Sequence, residues 1–137
     1  MVKSKAKIVA INKEPKIDTI PKLELMALVI GSNVAVYCID ALFHIEIVTL
    51  YIWSDSKTAL SWCSYDKKEE FVSNRVRTIR ENTPQAKLMY VESARNPADI
   101  LTRKPKAEDL LENPHWWNGP EFLIEPRKKM AIPKSCV

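Results

Sequence analysis

The stretch Glu46-Ile47-Val48-Thr49-Leu50-Tyr51-Ile52-Trp53-Ser54-Asp55-Ser56 decides how the rest of the chain is read. Its apolar residues run nearly without interruption and hardly alternate. That pattern predicts a central strand covered on both faces. The run stops at Ser54-Asp55-Ser56. Each of these three is a good helix N-cap, and a short helix through Ala59, Leu60 and Trp62 follows. A buried strand feeding straight into a helix predicts an α/β layered domain. In open sheets of that class ligands bind at the carboxyl ends of strands, where Asp55 stands.

Working outward, Ala6 to Ile11 reads as a short strand and Asn12 to Asp18 as a charged loop. A helix is expected from about Ile20 to Phe43, capped by Asp18 or Thr19, with Pro21 in its first turn. Its apolar residues cover most of the circumference, so it is expected to be largely buried. A further helix spans Lys67 to Glu81, with Phe71, Val72, Val76 and Ile79 on one side, and Thr83-Pro84 breaks it. Lys87 to Val91 reads as another strand. Asn96 caps a last helical turn that opens on Pro97. Five prolines then punctuate a mostly irregular tail in which Trp116 and Trp117 serve as anchors.

The 137 residues suit one domain with one core, and the 46% apolar fraction argues against disorder. Only Gly31 and Gly119 are glycines, which disfavours glycine-rich phosphate loops. The net charge of +4 permits nucleic-acid binding without demanding it. The excess lies toward the ends, where solvated tails are the simplest account. Cys38, Cys63 and Cys136 form no paired motif, and with two histidines a zinc site is not expected. Reduced thiols point to an intracellular protein, cytoplasmic or nuclear. The most apolar segment, Leu23 to Phe43, carries Glu24, Ser32, Asn33 and Asp40, which argues against a membrane partner.

Three acids stand at junctions between expected elements: Glu24, Asp55 and Asp99. Each has an ordinary explanation. Asp55 can cap a helix, Asp99 can face the N-terminal turn after Asn96, and Glu24 lies early in a helix. Glu24 also sits amid Leu23, Leu25 and Met26, where a carboxylate needs a partner such as a cation or a basic side chain. As a set, the three match what two-metal phosphodiester hydrolysis requires: carboxylates converging on ions roughly 4 Å apart. Magnesium takes oxygen ligands, so neither histidine nor cysteine is needed. Ser56, Arg75, Arg95 and Arg103 are candidate contacts to a nucleic acid. Arg75, Arg77 and Arg80 serve equally well as a solvated helix side balanced by Glu69, Glu70 and Glu81.

These residues carry a resemblance. Thr19-Ile20-Pro21-Lys22-Leu23-Glu24-Leu25, Ile52-Trp53-Ser54-Asp55-Ser56 and Asn96-Pro97-Ala98-Asp99 with Thr102-Arg103 resemble the ribonuclease H-like domain of BEL/Pao-type retrotransposon polyproteins. His115-Trp116-Trp117-Asn118-Gly119-Pro120 is similar to the aromatic segment that follows that domain. The resemblance implies an α/β fold, a ribonuclease H-like five-stranded mixed sheet with flanking helices. Residues 1–112 would be a partial domain lacking the first two strands, and residues 113–137 a tail leading toward the next polyprotein segment. Glu24, Asp55 and Asp99 would be the catalytic and metal-binding acids, holding Mg2+, or Mn2+, only weakly. A fourth acid belongs on the first strand, which the chain would lack, and Asp18 lies in the wrong place to replace it. An RNA–DNA hybrid and the rest of a reverse transcriptase polyprotein are the implied partners. A non-catalytic binding module or a decayed element is the alternative.

Overall fold

The computed structural model describes Lys5 and residues 19–65, 69–103 and 105–123. The expected strand at Ala6 to Ile11, the Asp18 cap, Lys67 and Lys68, and the basic carboxyl terminus lie outside the described residues. The chain divides into two compact units, Val2–Tyr90 and Val91–Val137.

The first unit begins with α1, Ile20–Ala41, continues through β1, Tyr51–Ser54, then α2, Lys57–Ser64, and α3, Glu70–Asn82, and closes on β2, Lys87–Tyr90. The two strands are parallel, with Tyr51 opposite Lys87 and Ser54 opposite Tyr90. Parallel neighbours need a crossover of a dozen residues or more, and α2 with α3 supplies it. The result is a helix-rich α/β unit whose described sheet has two strands.

The core is built where periodic faces meet. α3 buries Val72, Val76 and Ile79, spaced four and three residues apart on one side. α2 contributes Ala59, Leu60 and Cys63, and α1 contributes Leu25 and Leu28. Ile52, Leu88 and Tyr90 pack on this cluster from one face of the sheet, with Trp62 and Phe71 beside them. Tyr51 and Trp53 alternate to the other face and stack at 6.5 Å between ring centroids.

Three expectations are corrected here. First, α1 is not largely buried: within it only Leu25, Leu28 and Ser32 are buried, while Ile20, Tyr37 and Ile39 are exposed. Its apolar circumference exceeds the one side that α2 and α3 cover. By length and composition the helix would also suffice to cross a membrane, at 22 residues and a mean hydropathy of 1.6. Inside the unit one side of it packs on α2 and α3, and Asn82 of α3 donates to Ser32 Oγ at 3.0 Å and to Asn33 Oδ1 at 2.8 Å.

Second, the segment Glu46 to Trp53 is a strand only from Tyr51, and Ile45, Ile47 and Val48 are exposed. Its partner explains the shortening. The Thr83-Pro84 break and the turn after it delay β2 until Lys87, whose N–H reaches back to the Leu50 carbonyl at 2.9 Å. Residues 46–49 have no ladder partner among the described residues, and without one extended backbone does not become sheet.

Third, the tail is not irregular over its described residues, 105–123. The second unit holds 3₁₀ turns at Ser93–Arg95 and Pro97–Arg103, then α4, Ala107–Leu111, and α5, Pro114–Asn118, and a last turn at Glu121–Leu123. Pro114 starts a helix instead of interrupting one, because Asn113 caps it by accepting from Trp116 N at 3.2 Å. Gly119 ends it at φ +79°, a conformation that favours glycine. Trp117 Nε1 donates to the Leu110 carbonyl at 2.9 Å and fastens α5 to α4. After Asn96 the backbone is 3₁₀ rather than α, with the Asn96 side chain accepting from Ala98 N at 3.2 Å.

Candidate functional site

Asp55 follows the last residue of β1, at the carboxyl end of the strand, and Ser56 caps α2. Of the three candidate caps, Ser56 takes the role because its side chain reaches forward. Its Oγ accepts from Ala59 N at 3.1 Å. Ser54 braces the same turn by accepting from Ser56 N at 3.2 Å. Both serines are buried and Asp55 is half-buried.

Glu24 arrives at this turn from α1. The Ser56 hydroxyl donates to Glu24 Oε2, closing a contact across 32 positions of sequence. A carboxylate among leucines requires a partner, and the Ser56 hydroxyl supplies one to Glu24 Oε2. Two of the three candidate acids thus lie at one turn of the first unit, Asp55 within it and Glu24 bonded to its next residue.

Asp99 belongs to the second unit, in the 3₁₀ turn Pro97–Arg103. Its Oδ2 accepts from Arg103 Nε at 3.1 Å and from an Arg103 terminal nitrogen at 2.7 Å. The pair spans i to i+4 on a half-exposed surface. Asp99 and Arg103 line a groove of about 550 Å³ with Arg95, His115, Trp116 and Phe122. Arg95 lies over the Phe122 ring at 4.9 Å.

Among the described residues no three carboxylate, histidine or cysteine side chains come together in a way that could hold a metal ion. Of the donors expected to hold magnesium, Glu24 accepts from Ser56 through Oε2 and Asp99 accepts from Arg103 through Oδ2. At the turn after β1 in the first unit the described acids are Glu24 and Asp55, fewer than a two-metal centre requires.

Other basic side chains of the first unit have partners on their own or a neighbouring element. Arg75 stacks on Phe71 at 3.9 Å, and Lys22 approaches the same ring at 5.2 Å while pairing with Glu69. Arg77 bonds Asn74 Oδ1 at 3.0 Å. Arg80 donates to the Cys63 carbonyl at 2.9 Å, beside a groove of about 520 Å³ lined by Trp62, Tyr65 and Arg77. Burial pushes the Cys63 thiol from 9.0 up to about 11, against the opposing pull of the Arg80 charge.

Sequence reasoning did not find the groove of the second unit, nor the cation pair on Phe71. The first had a readable signal in Asn113-Pro114, a cap followed by an N1 proline. The second had none, because Lys22 and Phe71 meet only through the packing of α1 on α3.

Residues 1–56 match the family model described as Pao retrotransposon-like RNaseH-like domain. The matched segment contains Glu24, Asp55 and Ser56 and stops before Asp99. No curated protein and no solved structure matches the chain. Over its first 56 residues, through the turn where Glu24 meets Ser56, the chain matches the Pao retrotransposon-like RNaseH-like domain that its motifs resemble.

Proposed function

We propose that the chain is a ribonuclease H-like fragment of a retrotransposon polyprotein that does not cleave nucleic acid by itself. The observation that carries this reading is the family match over residues 1–56, which includes two of the three acids and the turn that joins them. Its relatives by this reading hydrolyse the RNA strand of RNA–DNA hybrids with two magnesium ions. Such chemistry needs carboxylate oxygens that converge and are free to take ions. Glu24 gives one oxygen to Ser56, and Asp99 gives one to Arg103. The rest of a reverse transcriptase polyprotein is the natural partner, and its setting is the cell interior.

The test is a cleavage assay of the purified 137-residue chain on an RNA–DNA hybrid with magnesium or manganese. No product is expected above a metal-free control. Robust magnesium-dependent cutting of the RNA strand would overturn the reading.

A second reading, binding without cleavage, draws on Arg75. Its guanidinium lies over Phe71, 3.9 Å from the ring centroid, and forms no ion pair among the described residues. A hybrid held by such groups binds at low salt and is released steeply as salt rises.

A further inference from the structure

We propose that Glu24 serves in this chain as a fastener for the start of α2 and not as a cation ligand. The proposal stands apart from the polyprotein reading, because a chain of any function built this way would behave the same.

Three observations support it. The Ser56 hydroxyl has one proton, and that proton goes to Glu24 Oε2. The oxygen keeps its lone pairs for the Ala59 N–H, so donation to a carboxylate strengthens it as a cap acceptor. The relay therefore runs from an α2 backbone N–H through Ser56 to a charge on α1. Next, the negative charge lies at the amino end of α2, an eight-residue helix, where the backbone dipole is positive. Finally, Ser56 is 5% exposed and Ser54 9%, so water does not readily replace the bond.

The contact also registers two parts of the core. Leu25 and Leu28 follow Glu24 on α1, and Ala59 and Leu60 follow Ser56 on α2; all four lie in one buried cluster. A bond made 32 residues apart, beside that cluster, fixes which turn of α1 faces the start of α2.

A magnesium ligand behaves oppositely. Acids gathered for a cation repel one another until it arrives, so neutralising one raises stability in metal-free buffer. A fastening acid lowers stability when neutralised, and magnesium has no bearing on it.

The experiment is urea unfolding of the full chain and of Glu24→Ala, Glu24→Gln, Ser56→Ala and the Glu24→Ala, Ser56→Ala pair, each with chelator and with millimolar magnesium. Glu24→Ala is expected to lower the folding equilibrium constant about tenfold. Glu24→Gln keeps the volume and one acceptor and loses less; it carries the test if the alanine variant does not fold. The double variant loses less than the sum of its singles, because both singles break the same bond. Magnesium leaves every midpoint unchanged. The proposal is overturned if magnesium stabilises the parent chain but not Glu24→Gln, if Glu24→Gln is the more stable in chelator, or if the two single losses simply add.

Discussion

The two units of this chain are held together by different means. The first rests on a buried apolar cluster drawn from three helices and supported by one face of the sheet. In the second, α4, α5 and the outer 3₁₀ turns bury no residue among those described, and order comes from caps, a left-handed glycine and surface pairs. Cooperative burial makes each core residue costly to change, whereas local caps contribute about 1 kcal/mol apiece. Mutations should therefore separate the units by the size of their effects.

The largest effect is expected in the first unit at Leu25, which is fully buried. Leu25→Ala removes a side chain wedged between helices and should cost about 2–5 kcal/mol, read as a drop in the urea midpoint. A loss under 1 kcal/mol would mean that the cluster is not the unit's main support.

Next comes Cys63, where the same burial acts on a titrating group. Below about pH 9 the thiol is protonated in both folded and unfolded chains, and its contribution to stability is fully present. Between 9.0 and about 11 the unfolded chain gives up the proton while the folded chain retains it, so stability falls. Above that range the loss is complete, roughly 2–3 kcal/mol for a shift of this size. The measurement is a comparison with Cys63→Ala, which isolates the thiol from every other group. The variant should lose distinctly less stability between pH 8 and pH 11 than the parent. Equal losses would show that the thiol is not sequestered.

What was legible in the sequence follows the same division between local and cooperative effects. The face of α3 and the Ser56 cap depend on residues within a turn or two, and they were readable from Val72, Val76 and Ile79 and from Ser54-Asp55-Ser56. The degree of burial of α1 was not, because a helix apolar all round says nothing about how many neighbours will cover it. The length of β1 was set by where β2 begins, more than thirty residues later. Of the candidate site, the positions of Glu24 and Asp55 at element junctions were readable. That Glu24 would bond Ser56 was not, since the contact depends on how α1 packs on α2. The Asp99–Arg103 pair was legible in principle from its i to i+4 spacing, but a search for metal ligands gives that spacing no weight.

The two glycines give the smallest and sharpest contrast. Gly119 closes α5 at φ +79°, and a Cβ there has room, with its nearest neighbour, Leu123 Cδ1, at 3.9 Å. The cost of Gly119→Ala is therefore backbone strain alone, about 1–3 kcal/mol, and it should be felt in the second unit as fraying of α5. Trp117 reports it by fluorescence, because its indole is tied to Leu110 only while the helix holds. Gly31 lies inside α1, and a Cβ there meets Ile52 Cγ2 at 4.0 Å, an ordinary contact. Gly31→Ala should raise stability by about 0.5–1 kcal/mol, since a helix interior favours alanine over glycine and nothing is displaced. Opposite signs from the same substitution would trace each glycine to its role, one required by a turn and the other tolerated by a helix. Destabilisation at Gly31 would instead mean that α1 approaches β1 too closely for a methyl group.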